Sequence, residues 1–173
     1  MSEGWEAVRV DDLDSHAVAG VVWHPLRRRL GIDAFGTNVY TAEQVGAQIV
    51  EEHDETGLGH EEMYVVMRGR VAFTIDGEEL DAGAGTVVFI RDPTLRRVAV
   101  SKSEDALVLA VGGPPDTAYE PSPWEPWFLA HIAAEAGDDE AALAYLREAV
   151  ALRPNYGERA RESPELQALV DRI

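Results

Sequence analysis

The segment HDETGLGHEE leads directly into an apolar run and contains two histidines and three glutamates, of which four residues together could bind a metal. They are His53, Glu55, His60 and Glu62, and imidazole nitrogens and carboxylate oxygens are common ligands of divalent metals. Two histidines with one carboxylate are the smallest set for a non-haem iron site, so these four residues are candidate metal ligands. The alternative is an ordinary acidic surface loop, as most charge runs are.

The absence of cysteine narrows the chemistry further. It excludes disulfides, thiolate catalysis and sulfur-ligated zinc, so a bound metal would depend on histidine and carboxylate side chains. The net charge of −17 disfavours nucleic acid and anionic membranes as partners, since both would be repelled. We therefore expect a small-molecule ligand or a protein partner.

Short apolar or alternating runs extend from Phe35 to Val111 and are separated by turn residues about every 8–12 residues. This spacing is typical of a β-sandwich or barrel. A tight turn at MRGR and a hairpin turn at Asp76-Gly77 predict a meander from Met63 to about Leu80.

Residues two apart on a strand face the same side of the sheet. His53 and Glu55 can therefore both point into the barrel, where Glu62 on the next strand can meet them. Tyr64 should also face inward, with Phe73 as a neighbour on the following strand. An inward aromatic side chain is more often part of the core than a surface for ligand, and both interpretations stay open.

The spacing from Gly46 through His53, Glu55 and Glu62 to Gly69 resembles the first motif of the cupin superfamily. Glu55 stands where the motif has its second histidine, and the insert TGLG lengthens the gap before the glutamate. The resemblance implies a cupin-type, RmlC-like jelly-roll β-barrel.

A second segment, AGAGTVVFIRDPTLRRVAV, resembles the second cupin motif when it is aligned from Gly85. The position of the motif's metal-binding histidine then falls on Arg96. Arginine keeps its charge and cannot ligate a cation, so Arg96 beside Glu55 and Glu62 would replace the metal electrostatically. The resemblance thus implies a degraded metal site and a homodimer.

Three functions follow as hypotheses, and whether the protein is an enzyme stays open. The first is a cupin without a cofactor that binds a small molecule, through an anionic or carbonyl group, by Arg96, Tyr64 and Phe73. The second is a metal-dependent dioxygenase or isomerase that holds iron, manganese, nickel or zinc on His53, Glu55 and Glu62. There, His60 or Tyr64 would transfer protons. The third is protein binding by the helical tail.

The predicted organisation is an N-terminal arm (1–34), a barrel (35–112), a proline-rich connector (113–126) and a helical tail (127–173). The tail should contain two amphipathic helices separated at Gly137, with Asp138 or Asp139 capping the second, and a third helix capped by Ser163. Four residues have the spacing of a tetratricopeptide-like unit: Ala142, Leu146, Ala149 and Pro154.

A lone repeat unit cannot form the groove of a repeat array, so we expect a helical flap on the barrel or across a dimer contact. The N-terminal residues lack the layout of a signal peptide, and no apolar run approaches the roughly 20 residues of a membrane span. We therefore expect a cytoplasmic protein.

Overall fold

The computed structural model describes Gly4, residues 6–18 and residues 20–173. Residues 1–3, 5 and 19 of the predicted N-terminal arm lie outside the described residues. The chain divides into two compact units, Met1–Glu120 and Pro121–Ile173. We call them the barrel unit and the helical unit.

The described part of the barrel unit contains ten strands, one short helix and a 3-10 turn at Val10–Asp12. The strands are β1 His16–Val18, β2 Val21–His24, β3 Gly36–Ala42, β4 Gln48–His53, β5 Glu61–Arg68, β6 Arg70–Ile75, β7 Glu78–Gly83, β8 Val87–Ile90, β9 Arg97–Ser101 and β10 Leu107–Gly113. Helix α1 is Leu26–Leu30.

These strands form two antiparallel sheets, one in the order β1-β2-β3-β10-β5-β8 and the other in the order β4-β9-β6-β7. Alternate side chains of both sheets meet in one apolar core, which includes Ile49, Val66, Val71, Phe73 and Val108. The predicted β-rich jelly-roll with a helical appendage is confirmed.

The two predicted turns differ in what they connect. Asp76 and Gly77 have φ values of 48° and 87°, as the predicted hairpin between β6 and β7 requires. At Gly69, however, the predicted meander is wrong, because β5 and β6 belong to different sheets. A Cβ atom on Gly69 would lie 2.3 Å from Ser103 Oγ, so only glycine allows the chain to cross here.

The predicted arm contains β1 and β2, which extend the larger sheet beyond β3. Trp23 on β2 is buried, and its indole Nε1 donates to Asn38 Oδ1 at 2.9 Å. At the other end of the barrel, β10 runs to Gly113. The sheet therefore starts earlier and ends slightly later than the predicted range 35–112.

The helical unit contains α2 Trp124–Glu135, α3 Asp139–Leu152, α4 Tyr156–Glu162 and a 3-10 helix at Gln167–Arg172. The first of these starts within the predicted connector. The turn between α2 and α3 is as predicted: Gly137 has a φ of 77°, and Asp138 Oδ1 accepts from Ala141 N at 3.0 Å. Among the described residues, no helix is long and apolar enough to cross a bilayer.

The predicted helix after Ser163 differs from the structure. Ser163 ends α4, which the sequence did not predict, and its hydroxyl donates to Glu165 Oε2 at 2.9 Å. Because this hydroxyl bonds a carboxylate, it does not cap a backbone N–H, and the segment that follows forms a 3-10 helix. Small and branched side chains fill the core of the unit, among them Ala142, Leu146, Ala160 and Leu166.

Candidate functional site

One end of the barrel brings together residues from both sheets. His53 is the last residue of β4 and pairs in register with Arg97, the first residue of β9. Glu62 lies on β5 of the other sheet. The loop between β4 and β5 carries Glu55, whose backbone N–H donates to Pro93 O at 2.8 Å. This contact ties the loop to the residues that precede β9.

Glu62 is the centre of the cluster. Its Oε2 atom accepts a hydrogen bond of 2.6 Å from the Tyr64 hydroxyl. The same oxygen lies 3.3 Å from Arg97 Nε and 3.4 Å from His53 Nε2. Tyr64 thus donates a short hydrogen bond to Glu62, and His53 and Arg97 lie within ion-pair distance of the same oxygen.

Glu55 provides the second carboxylate. Its Oε1 atom lies 3.7 Å from His53 Nε2, and its Oε2 atom lies 3.5 Å from His60 Nδ1. Oε2 is buried and has no hydrogen-bond partner of suitable geometry. His60 is itself buried and packs against the ring of Tyr119. All four predicted metal-ligand candidates are thus neighbours in the fold.

The predicted position of Arg96 inside the barrel is wrong by one residue. The Arg96 side chain is 62% exposed and pairs with Glu52 on the outer surface. Arg97 is completely buried and faces Glu62. Alternation along β9 explains this, because successive side chains point to opposite faces of a sheet.

The motif alignment selected Arg96, and the apolar residues Val98 and Val100 share its side of β9. The interior instead takes the small residues Ala99 and Ser101, which are both buried. Ala99 lies directly opposite the large Phe73 on β6. The small residues at 99 and 101, opposite larger ones on β6, were the signal in the sequence that could have placed Arg97, rather than Arg96, on the inward face of β9.

Arg97 has an unusual environment for a buried cation. None of its three side-chain nitrogens has a hydrogen-bond partner in the structure. Nε is close enough to Glu62 for an ion pair but is not aligned for a hydrogen bond. Buried charges are normally paired and hydrogen-bonded, so this guanidinium has donors to offer.

The orientation of the His53 ring follows from its contacts. Nδ1 lies 2.7 Å from the carbonyl oxygen of Glu51, which can only accept, so Nδ1 carries a hydrogen. Nε2 therefore faces the two carboxylates. In the neutral ring it presents a lone pair, and in the protonated ring it presents a second N–H.

The environment gives the two carboxylates different proton affinities. Burial, with the nearby charge of Glu62, raises the pKa of Glu55 to about 7. Burial alone would also raise the pKa of Glu62, but His53, Tyr64 and Arg97 together lower it below its usual value. For His53, burial opposes the charge of the imidazolium, yet Glu62 and the carbonyl of Glu51 raise its pKa. Near pH 7, Glu62 is therefore ionised, whereas Glu55 is about half protonated.

His53, Glu55 and Glu62 could together hold a metal ion, because one ligand atom from each lies within 4.8 Å of the others. The donor set of one imidazole and two carboxylates suits iron, manganese or zinc. The unpaired Oε2 of Glu55 and the lone pair available on His53 Nε2 both fit such an ion. His60 lies outside this group and contacts Glu55.

The two predicted aromatic residues take different positions. Tyr64 is buried but reaches the site through its hydroxyl bond to Glu62. Phe73 is completely buried, and its ring centre lies 5.6 Å from that of Tyr64. Phe73 supports Tyr64 from the core, and ligand contact by either residue stays a prediction.

No protein-family model matches this chain, and no curated protein matches it in sequence. Solved structures do resemble it. A sugar phosphate isomerase of the cupin superfamily from Silicibacter pomeroyi has a TM-score of 0.52 and 17% identity, over 62% of this chain and 74% of its own. A predicted oxalate decarboxylase from Thermotoga maritima has a TM-score of 0.51 and 18% identity, over 62% and 97%. These likenesses concern the fold, and the tetratricopeptide-like tail stays a prediction.

Proposed function

Because the chain has the cupin fold, we propose that it binds a small anionic molecule at the open end of its barrel. Arg97 takes the part that the sequence assigned to Arg96. Small barrels either fill their interior with side chains or hold one small ligand there. The observation that carries the proposal is the completely buried guanidinium of Arg97, whose nitrogens lack hydrogen-bond partners.

The residues around Arg97 prepare it for an anion. Tyr64 donates to Glu62, and this bond holds the carboxylate 3.3 Å from Arg97 Nε. Glu62 therefore orients the guanidinium through one nitrogen. The planar fork of Nη1 and Nη2 matches the two oxygens of a carboxylate or phosphate.

Solvent reaches the site from the side of His53, whose side chain is 32% exposed. A small ligand could enter there, while Arg97 stays shielded from water. In such a low-dielectric environment a charged hydrogen bond is worth more than on the surface. The two similar structures are named for enzymes of oxalate and of sugar phosphates, which are anions, and this supports an anion as ligand.

The test is to measure binding of acetate, oxalate and inorganic phosphate by calorimetry to the wild type and to Arg97→Met. We expect at least one anion to bind and its affinity to fall by about 30-fold or more in the variant, as for a truncated buried charge partner. Arg96→Met is the matched control, since Arg96 is exposed, and it should keep the affinity. Unchanged binding in Arg97→Met would contradict the proposal.

A metal-dependent enzyme is the second candidate, favoured by the convergence of His53, Glu55 and Glu62. A bound ion would supply Lewis-acid polarisation of a substrate oxygen. Elemental analysis of protein purified without chelator or nickel resin tests this. Near-stoichiometric metal that disappears in His53→Ala would support it, whereas metal-free wild-type protein would leave anion binding by Arg97 alone.

Three sequence-based expectations stay proposals. They are the homodimer, the cytoplasmic location and protein binding by the helical tail. For the tail, deletion of residues 123–173 would be informative. Loss of a partner together with retained barrel stability would support a binding role for the tail.

A further inference from the structure

Buried side-chain atoms without hydrogen-bond partners concentrate at one place in the described part of the chain. They are the three nitrogens of Arg97, Oε2 of Glu55 and, apart from these, Nδ1 of His24 on β2. A protein normally satisfies such atoms, and each unsatisfied one calls for an explanation. At the site, Arg97 can only donate hydrogen bonds, whereas Glu55 Oε2 can accept one.

Arg97 and Glu55 are connected through His53 and Glu62. His53 Nε2 is 3.4 Å from Glu62 Oε2, which in turn contacts Arg97 Nε. The same nitrogen is 3.7 Å from Glu55 Oε1. Both groups with unsatisfied atoms thus belong to the one cluster around His53 and Glu62.

Resting on the anion site proposed above, we propose that the ligand is a 2-hydroxy acid. Its carboxylate accepts from Nη1 and Nη2 of Arg97, and its hydroxyl donates to Glu55 Oε2. This arrangement pairs the unsatisfied donors with an acceptor and the unsatisfied acceptor with a donor. No covalent step is required for recognition.

A hydroxyl fits this place better than an ammonium group. Arg97 is a cationic side chain, and the imidazole Nε2 of His53 faces the same cluster, 3.4 Å from Glu62 Oε2. His60, which contacts Glu55 Oε2, adds a second imidazole. An ammonium group would bring a further cation among these groups, whereas a neutral hydroxyl makes the same hydrogen bond without repulsion.

The hydroxyl should determine specificity. An analogue without it would leave Glu55 Oε2 buried and unpaired, and a site built to bond a hydroxyl rejects such analogues strongly. A hydrogen bond that the analogue cannot make lowers its affinity, and more so where the acceptor is ionised. The expected preference for the hydroxy acid is therefore about 10-fold to 100-fold.

The experiment compares matched acids by calorimetry, in buffers with and without EDTA. The pairs are glycolate against acetate and tartrate against succinate, with glycine as the amino analogue. The proteins are the wild type, Arg97→Met, Glu55→Met and Glu52→Met. Glu52 lies on β4, three residues before Glu55, and is exposed, so its variant is the matched control for Glu55→Met.

We expect each hydroxy acid to bind at least 10-fold more tightly than its partner, in either buffer. Glu55→Met should remove this preference, Glu52→Met should keep it, and Arg97→Met should weaken all acids. Equal binding of the paired acids, lost only in Arg97→Met, would overturn the hydroxyl contact and leave the anion site in place. If no acid binds, the anion site fails as well. A preference that EDTA abolishes, or tighter binding of glycine, would also overturn the inference.

Discussion

The two units of the chain differ in what their interiors contain. The barrel unit buries an arginine and two histidines beside its apolar core, and two carboxylates there are half-buried. The helical unit packs alanines, leucines and a valine against one another, and it also buries Glu125 and Ser163. Among the described residues, the buried side-chain atoms without partners all belong to the barrel unit.

This difference indicates which side chains stabilise the fold and which form the candidate site. An apolar interior lowers the free energy of the folded state directly, whereas a buried charge without hydrogen bonds raises it. Proteins break the rule of satisfied polar groups mainly at functional sites. The apolar cores follow this rule and the charged cluster at the barrel end breaks it, so we expect substitutions in an apolar core and in this cluster to have opposite effects on stability.

The largest effect should come from the apolar part of the barrel. Phe73→Ala removes a completely buried ring that packs against Tyr64, and such changes cost about 3–5 kcal/mol. Urea unfolding measures the loss in the free energy of unfolding, and hydrogen exchange of the β6 amides shows whether the strand is affected. Phe89→Ala, at a residue that is 49% exposed, is the control and should change stability little. A loss below about 1 kcal/mol would contradict a core role for Phe73.

Replacement of the buried ion pair should have the opposite sign. In the double variant Arg97→Met/Glu62→Gln, a costly buried pair is exchanged for an apolar side chain and a neutral amide. Such exchanges are often neutral or stabilising by about 1–4 kcal/mol. We expect higher stability in urea and complete loss of anion binding.

The single variant Arg97→Met sharpens this test. It leaves Glu62 ionised and buried without its cation, so it should be less stable than the double variant. If the double variant is less stable than the wild type by more than about 1 kcal/mol, the pair contributes to folding. The contrast between the apolar core and the charged cluster would then disappear.

The pH dependence of stability should come from the same end of the barrel. Glu55 has a folded pKa of about 7 against an ordinary value of 4.5, so the folded state binds its proton more tightly. Its contribution is therefore complete below pH 4.5 and is lost as the pH rises through 7. One pKa unit corresponds to about 1.4 kcal/mol, and partial exposure of the group reduces this contribution. We therefore expect the free energy of unfolding to fall by roughly 1–2 kcal/mol as the pH rises.

Neighbouring groups modify this profile in known directions. His53, with a raised pKa, adds a loss of the same sign as the pH rises. The lowered pKa of His60 acts in the opposite sense, and that of Glu62 acts only below pH 4.5. Arg97 stays charged throughout. Urea unfolding between pH 5 and 8 in EDTA should therefore show a slope that Glu55→Gln reduces. An unchanged slope would contradict the assignment to Glu55.

Much of the fold was predictable because it depends on local patterns. The alternating runs predicted strands β3 to β6 and β8 to β10, and the positive φ at Asp76-Gly77 followed from turn chemistry. The crossing at Gly69 was not predictable from its turn residues, since it depends on the contact with Ser103. Strands β1 and β2 were missed because their pairing with β3 is a tertiary contact.

The sequence was sufficient to predict which types of residue form the site, but not which of two adjacent arginines faces inward. The spacing of His53, Glu55 and Glu62 was sufficient to group them. Arg96 and Arg97 are adjacent arginines, so a shift of one residue exchanges an exposed side chain for a buried one. Buried and half-buried residues alternate along β9, and Ala99, which pairs with Phe73 on β6, lies on the same buried face as Arg97. The spacing alone also could not show that Glu55 Oε2 lacks a hydrogen-bond partner.

The smallest expected effect concerns the first turn of α3 in the helical unit. The Asp138 carboxylate accepts from Ala141 N, and removal of such a cap costs about 1 kcal/mol. Asp138→Ala should therefore increase hydrogen exchange of the α3 amides and leave β9 unaffected, while Asp138→Asn keeps the cap and the exchange rates. An equal increase in β9 would show that the two units unfold together. In that case the stabilities of their two interiors could not be compared separately by global unfolding, and only exchange measured residue by residue would distinguish them.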